Sequence, residues 1–356
     1  MKKAIPFVIV LGLITIVFGV KLLMPAKPEA TPTAVKTSET FAMGSVCRIT
    51  AFYPVSEDEK AKIATDTAFA AVHAVDEACS LYSDKSDISR VNAGGPSFDG
   101  RVGGEFLACL QVALDMNRRT DGLFSPAVGP LMSLWGFGAK STGKRVPSAD
   151  EIASVLPLLD VSGILLDPQG KTVRLRQAGM SLDLNGIAQG FASERAAETL
   201  VRLGVSAALI ESGGGEFVAV GSKPGNEAFR IGIRKPRRES PEVIAYVEMK
   251  DKALATSGDY EKYFEADGKR FSHLMDPRTG MPKTGEPSSV TVIGKSCAIC
   301  DALATVAAIL SPDEAKRVVA TFPGYEVIIA TETPGGPKFT YSDGLVQTGD
   351  TFSFRK

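Results

Sequence analysis

Hydrophobic and polar residues follow one another along the chain with two different periods, which predict both helices and strands. Between Glu57 and Leu81 the residues Ile63, Ala70 and Ala74 share one stripe at helical spacing. Similar stripes predict helices over residues 105–120, 152–158, 187–203, 300–310 and 312–320. Short apolar runs predict strands over residues 46–53, 207–211, 217–221, 230–234, 243–249, 253–256, 289–293 and 327–330.

The order of these predicted elements indicates the fold class. Strands follow one another in groups, and two of them, residues 172–176 and 180–184, are predicted to form a hairpin. Residues 82–104 and 121–138 are predicted to be loops, the second of them punctuated by Gly and Pro. Because strands and helices do not alternate regularly, the pattern favours a single α+β domain of mixed or antiparallel sheets with packed helices.

The N-terminus has a pattern of its own. Lys2 and Lys3 precede an uncharged apolar run from Ala4 to Val20, and residues 25–40 are rich in Pro, Thr and Ala. We therefore divide the chain into a signal or anchor segment (1–24), a tether (25–40) and a catalytic domain (41–356). The basic residues before the run place the domain outside the cytoplasm. A cleaved signal peptide is the alternative, but the sequence favours a retained membrane helix since it has no strong cleavage site.

Charge is distributed unevenly between these segments. The chain has 40 basic and 41 acidic side chains and a net charge of −1. Residues 1–36 contain five lysines and one glutamate, a net charge of +4, which leaves −5 for the remaining 320 residues. A mildly acidic body argues against nucleic-acid binding, which requires a basic surface that neutralises phosphates.

Five cysteines at irregular spacing do not form the pattern of a disulfide-rich domain. Cys297 and Cys300 have CxxC spacing, but a single pair is a weak indication of zinc, which prefers four ligands. A disulfide between these two residues is a second interpretation. We favour ordinary buried thiols, because cysteine is a common core residue.

Two segments carry candidate chemistry. His273 and Asp276 lie in RFSHLMDPRTGMP, a strand that runs into a turn, where Asp276 is either a site residue or the cap of an Asx turn. Asp301 and Thr305 are four residues apart on a predicted helix, and so share one face. That pair is either a helix-end acid beside a buried Thr or a carboxylate and a hydroxyl that hold a hard cation such as Mg²⁺.

Other motifs are absent or ambiguous. The chain has no G-x-S-x-G elbow, no G-x-G-x-x-G and no P-loop, which argues against a hydrolase triad and a Rossmann or P-loop nucleotide site. Three glycines at 213–215 are typical of a hairpin turn, although they would also let backbone N–H groups approach a phosphate. His73 is best interpreted as a packed or surface residue of its helix.

Seven segments in order along the body resemble the FAD:protein FMN transferase family. They are FAMGSVCRIT (41–50), LYSDKSDISRVN (81–92), FSPAVGPLMSLWGFG (124–138), LDLNGIAQGFAS (182–193), ESGGGEFVAVG (211–221), ATSGDYEKYFEADGKRFSHLMDPRTGMP (255–282) and the SVTV and DALAT motifs within 289–305. The block at 255–282 is the most specific of them. The chain departs from the family pattern at Asn185, Gln189 and Glu211–Ser212.

The resemblance implies a Mg²⁺-dependent transferase that acts outside the cytoplasm. Such an enzyme splits the diphosphate of FAD, attaches FMN through a phosphoester to a Thr of a partner protein and releases AMP. The implied partner is a subunit of a membrane redox complex, and the implied location is the periplasmic face of the cytoplasmic membrane. FAD hydrolysis by the same metal chemistry and non-enzymatic flavin binding are the competing functions.

The resemblance also implies roles for individual residues. The metal ligands would be Asp301, Thr305 and the backbones of Gly186 and Ala304. The flavin contacts would be Met43, Tyr82, Ser125, Pro126, Ala127, Asp183, Gln189 and Met275. His273 would be the catalytic acid–base, because an unperturbed His titrates at about 6.5, and Asp276 is the second candidate for that role.

Overall fold

A computed structural model describes residues 33–237, 240–284 and 288–355. The predicted anchor and the first half of the predicted tether, residues 25–32, lie outside the described residues. Within the part of the chain that the structure describes, no helix is both long and apolar enough to cross a membrane.

Eight antiparallel strands form the main sheet of the described chain. Its order is β1–β2–β5–β6–β9–β14–β15–β16. The strands are β1 Thr33–Ala42, β2 Ser45–Pro54, β5 Ala207–Ser212, β6 Glu216–Val220, β9 Lys252–Gly258, β14 Ser288–Gly294, β15 Glu326–Thr331 and β16 Lys338–Tyr341. Every residue of β14 is buried, which agrees with its position between β9 and β15 and with its run of β-branched residues.

Smaller sheets flank the main one. Four strands with the order β17–β18–β8–β7 form a second sheet, and three two-stranded ribbons complete the described set. The strands of the second sheet are β7 Phe229–Arg234, β8 Val243–Met249, β17 Leu345–Thr348 and β18 Thr351–Phe354. The ribbons pair β3 Ile164–Asp167 with β4 Thr172–Leu175, β10 Tyr263–Ala266 with β11 Lys269–Ser272, and β12 Met275–Asp276 with β13 Met281–Pro282.

The helices cover one face of the main sheet and the four-stranded sheet packs on the other. The helices are α1 Asp58–Cys79, α2 Asp87–Gly94, α3 Gly104–Arg119, α4 Gly129–Leu134, α5 Ala149–Val155, α6 Ala188–Arg202, α7 Cys297–Ala308 and α8 Pro312–Ala320. One core joins the helices to the main sheet, and another joins the two sheets through Phe229, Leu254 and Phe352. The main sheet is antiparallel and the second sheet is mixed, since β18 pairs with β8 in parallel, so these layers confirm the predicted α+β class with mixed or antiparallel sheets.

A third, smaller core supports the segment that contains His273. Trp135 is fully buried there against Phe271, with ring centroids 5.5 Å apart, and its indole N–H donates to the carbonyl of Gly280 at 2.9 Å. Gly280 has a φ of 72°, and a Cβ there would lie 2.4 Å from a methyl of Ile152. The turn at 276–280 is therefore held by packing and requires glycine at its end.

Three local predictions are wrong. Residues 33–40 of the predicted tether belong to β1, which pairs with β2 over its whole length. The predicted hairpin of 172–176 with 180–184 does not form, because β4 pairs instead with β3, the strand that precedes it in the chain. The predicted loop at 82–104 contains α2, which Ser86 caps by accepting a hydrogen bond from the Ser89 N–H.

The cysteines agree with the interpretation as buried thiols. All five are buried and free. Cys297 and Cys300 begin α7, and the thiol of Cys300 lies 3.7 Å from the carbonyl oxygen of Ala253 on the central sheet. The pair therefore packs α7 on the sheet as two buried thiols.

Candidate active site

One cavity brings together most of the residues that the sequence singled out. Its volume is about 200 Å³, and it opens where α6, α7 and the loop before β12 meet. Eight predicted residues line it: Ser125, Asp183, Gly186, Gln189, His273, Met275, Asp301 and Thr305. Six do not: Met43, Tyr82, Pro126, Ala127, Asp276 and Ala304. Two predicted functions, metal binding and proton transfer, thus fall in one cavity.

Asp301 and Thr305 form the deep end of this cavity. They lie one turn apart on α7, and Asp301 is 6% exposed. The backbone of Gly186 passes so close that a Cβ there would lie 3.1 Å from the Thr305 hydroxyl oxygen. A carboxylate, a hydroxyl and a nearby peptide backbone are the oxygen donors that Mg²⁺ prefers, and Mg²⁺ completes its shell with water or substrate.

Asp301 does not cap its own helix. Ser296 is the N-cap of α7, and its hydroxyl accepts the Ile299 N–H at 3.3 Å. Asp301 instead accepts the N–H of Gly190, in the first turn of α6, at 3.0 Å. A Cβ on Gly190 would lie 2.5 Å from the carbonyl oxygen of Cys297, so glycine permits the close approach of the two helices. The helix-end interpretation is therefore wrong for α7, but Asp301 does support the N-terminus of α6.

A second carboxylate, which the sequence reasoning missed, faces the same position. Glu216 is 8% exposed, lines the cavity and follows the glycine turn that joins β5 to β6. Burial, together with the negative charge of Asp301, holds the pKa of Glu216 well above its usual range. The one signal in the sequence was its place directly after three glycines, where the backbone is free to turn towards α7.

The electrostatics of this end suit a cation. Burial raises the pKa of Asp301 to about 7. Within the described residues its carboxylate has the Gly190 hydrogen bond but no ion-pair partner. No described group of three or more His, Cys, Asp and Glu side chains forms a metal cluster, so an ion here would rely on the hydroxyl and backbone oxygens as well. Two buried carboxylates without a counter-charge are costly, and a bound cation would offset that cost.

His273 lies across the cavity from Asp301, and one of its ring nitrogens is hydrogen-bonded. Its backbone N–H and its Nδ1 both point to the carbonyl oxygen of Lys262, at 2.9 and 3.1 Å. A carbonyl only accepts, so Nδ1 carries the hydrogen and Nε2 is left with its lone pair. Burial, and then the ammonium of Lys262, lower the pKa of His273 to about 4. The ring is therefore neutral at pH 7, as a proton acceptor must be, although its pKa is lower than the ordinary value assumed from sequence.

Asp276 lies outside the cavity. Its carboxylate accepts the Arg278 backbone N–H at 2.9 Å and forms an ion pair with the Arg278 guanidinium at 2.8 Å. Burial raises its pKa, but the bonds from Arg278 outweigh that effect and leave the pKa lowered. Met275 and Asp276 are consecutive residues of β12, so their side chains point to opposite sides, and Met275 faces the cavity. The Asx-turn interpretation of Asp276 is confirmed.

Two of the predicted flavin contacts that line the cavity, Ser125 and Asp183, are joined through the backbone. The Ser125 hydroxyl accepts the Ala127 N–H at 3.2 Å, and the Asp183 N–H donates to the Pro126 carbonyl at 2.8 Å. These bonds join the 125–127 segment to Asp183 as one backbone unit. Burial raises the pKa of Asp183, although its carboxylate accepts the Asn185 N–H at 2.9 Å.

The remaining predicted contacts lie around the rim. Gln189 donates to the Ser45 hydroxyl at 2.9 Å, which attaches the β1–β2 turn to the cavity. Met43 lies in that turn, with a φ of 54°. Tyr82 is 72% exposed and lies beside Leu81. Leu81 lines a second cleft, of about 280 Å³, and Asp183 lines both cavities.

Comparison with known proteins identifies the family. The family model described as "ApbE family" matches residues 43–329. The chain belongs to the ApbE family. A relative from Vibrio cholerae serotype O1, named FAD:protein FMN transferase, is 33% identical over 264 residues, which cover 74% of this chain and 78% of the relative. Another of the same name, from Escherichia coli K12, is 31% identical over 83% of both chains.

Solved structures of the ApbE family agree with this fold. The ApbE protein of Thermotoga maritima superimposes with a TM-score of 0.76 at 30% identity, over 87% of this chain and 97% of that chain. The matched range of the family model contains every predicted site residue, from Met43 to Thr305. The cavity described above therefore lies within the part of the chain that defines the family.

Proposed function

We propose that this protein transfers FMN from FAD to a threonine hydroxyl of a partner protein and releases AMP, with Mg²⁺ as the metal. The observation that carries the proposal is one cavity with an oxygen-lined cation position at Asp301 and Thr305 and, across from it, a neutral His273 whose Nε2 is free. Relatives about 30% identical are named FAD:protein FMN transferase, which supports the same reaction here.

The residues of this chain have distinct parts in that reaction. The threonine oxygen forms a bond to the phosphorus on the FMN side of the diphosphate, and the bond from that phosphorus to the bridging oxygen breaks, so that AMP leaves with the oxygen. His273 Nε2 accepts the threonine proton, which makes a weak nucleophile effective at neutral pH. Asp301, Thr305 and the backbone of Gly186 would hold Mg²⁺, which neutralises diphosphate charge when it is bound.

The side of the cavity that Ser125 and Asp183 line positions the flavin nucleotide. Ser125–Ala127 and Asp183 present a buried backbone unit with polar groups, and Met275 adds a polarisable apolar contact. Tyr82 is free to cover a ring of the substrate, since nothing buries it in this structure. Phosphoryl transfer depends mostly on such positioning, because the protein supplies little covalent chemistry.

The location follows from the N-terminal pattern. We infer that the apolar run from Ala4 to Val20 holds the domain at the outer face of the cytoplasmic membrane, near a membrane redox complex that contains the acceptor. Lys2 and Lys3 before the run support this orientation. N-terminal sequencing of the protein from cells tests the anchor: a chain that starts near residue 27 would mean a cleaved and released form.

Mass spectrometry tests the transfer itself. The protein, FAD and Mg²⁺ are incubated with a candidate membrane redox subunit, and the subunit is searched for FMN on a threonine while AMP is quantified. We expect equal amounts of AMP and of FMN-modified threonine. Stoichiometric AMP with free FMN and an unmodified subunit, across a panel of such subunits, would instead indicate an FAD pyrophosphatase.

A further inference from the structure

We propose that Lys262 binds the diphosphate of the nucleotide substrate next to His273. This inference rests on the proposed function. It adds to the proposed Mg²⁺ a second positive charge, which the protein itself supplies. Lys262 follows β9 and directly precedes β10. Lys262 is exposed and lines the cavity together with His273 and Asp183.

Backbone hydrogen bonds place Lys262 beside His273. The Lys262 carbonyl accepts both the backbone N–H and the Nδ1–H of His273, so the two residues are joined at the mouth of the cavity. The ammonium itself makes no hydrogen bond or ion pair within the described chain, whereas the neighbouring Glu261 lies 3.7 Å from the Arg234 guanidinium. Burial raises the pKa of Asp183 and of Glu261, and the positive charge of Lys262 acts at longer range to lower each of them. With no hydrogen bond or ion pair to a described residue, the ammonium is available to a ligand.

The charge of the cavity supports the same assignment. Four acids line it, Asp183, Glu216, Glu261 and Asp301, and Lys262 is the one Lys or Arg among its described lining residues. A diphosphate carries negative charge along its whole length, so a metal at Asp301 alone would leave the phosphate nearest His273 beside acidic groups. Lysine acts as a compact point charge for phosphate, which is what this position provides.

Lys144 offers a matched control. Its positive charge also lowers the pKa of His273, after burial and Lys262. Its ammonium, however, donates to the Tyr263 carbonyl at 3.4 Å and lies 5.1 Å from the centre of the Phe137 ring. The two lysines therefore share an effect on His273. Lys262 lines the cavity and has an ammonium without a hydrogen bond or ion pair to any described residue, whereas Lys144 does not line it. Asp183 and Glu261 are the acids that face the same region.

The test measures binding of FAD, ADP and riboflavin, with Mg²⁺ present, to the wild type, Lys262→Met, Lys262→Arg and Lys144→Met. Loss of one charge-assisted phosphate contact should weaken FAD and ADP by about 10-fold or more in Lys262→Met. Riboflavin, which has no phosphate, should bind within about twofold of the wild type. Lys262→Arg should retain most of the affinity for FAD and ADP, and Lys144→Met should retain nearly all of it.

A second readout separates a phosphate contact from a loop defect. Proton NMR of the His273 ring in the unliganded full-length protein should show its pKa rise in Lys262→Met, with unchanged melting temperature. Wild-type affinity for FAD and ADP in Lys262→Met, or an equal loss of riboflavin binding, would overturn the inference. If ADP binding depends on Lys262 but the protein never modifies a threonine, the transferase function is refuted and the diphosphate contact is supported.

Discussion

Replacing Asp301 in two ways should separate its effect on metal binding from its effect on packing. Asp301→Asn removes the charge but keeps an oxygen that can accept the Gly190 N–H, which is 3.0 Å from the carboxylate. Asp301→Ala removes both the charge and the acceptor. Because Mg²⁺ binds through few protein ligands, losing the carboxylate should abolish AMP release in both variants, or restore it only at high Mg²⁺. Thr305→Ala, which removes one neutral ligand, should weaken it less.

The stabilities of the two Asp301 variants should differ. In Asp301→Ala a buried N–H in the first turn of α6 loses its partner, which costs about 1–3 kcal/mol and lowers the melting temperature by about 2–8 °C. Asp301→Asn keeps that bond and removes a buried charge, so without Mg²⁺ it should melt at or above the wild-type temperature. Added Mg²⁺ should raise the melting temperature of the wild type but of neither variant.

The assay measures melting temperature and the Mg²⁺ dependence of AMP release on the same preparations. Asp301→Asn with wild-type Mg²⁺ dependence would refute the metal site. Asp301→Asn that melts as low as Asp301→Ala would refute the role we give to the Gly190 hydrogen bond. The Mg²⁺ dependence therefore tests the metal site, and the melting temperatures test the hydrogen bond.

The remaining predictions concern the base, the rim and the helix crossing. His273→Ala should slow FMN transfer by about 10²–10⁴-fold while FAD affinity, from flavin fluorescence, is retained; normal turnover would exclude His273 as the base. Since His273 takes up a proton in the unfolded chain at about pH 6.5 but in the folded protein only at about pH 4, wild-type stability should fall as pH falls through that window. Urea unfolding at pH 7 and pH 5 should show a smaller loss in His273→Ala, and parallel losses would contradict the shift. Tyr82→Ala should weaken FAD binding by about 0.5–1.5 kcal/mol in the same fluorescence titration, and unchanged affinity would remove the ring from the site. Gly190→Ala should lower both melting temperature and Mg²⁺ affinity, because its Cβ would lie 2.7 Å from the Asp301 Cβ; an unperturbed variant would show that α6 and α7 separate easily.

Local signals in the sequence were sufficient for elements whose conformation is determined by their own residues. The helix at Pro312–Ala320 agrees with its prediction because Ser311 and Glu314 form a capping box and Pro312 begins the first turn. Asp301 and Thr305 share a face because helical spacing requires it. Features of this kind need no information from the rest of the chain.

Features that depend on distant partners could not be predicted in the same way. Strand β1 has a polar sequence and exists because β2 pairs with it residue by residue. Glu216 belongs to the site only because β6 and α7 meet, and nothing in its own segment indicates Asp301. Asp276, although close to His273 along the chain, points away because it follows Met275 in β12 and Met275 faces the cavity.

The late place of β14 and α7 in the chain has a consequence for biosynthesis. Strand β14 begins at Ser288 and pairs with β9 on one side and β15 on the other, so this part of the main sheet forms only after most of the chain has been made. Helix α7, with Asp301, follows it directly. The hydrogen bond from Gly190 to Asp301 joins residues 111 positions apart, and contacts of such long sequence separation form late and slowly. A growing polypeptide thus has no assembled cavity until α7, which carries Asp301 and Thr305, has been made.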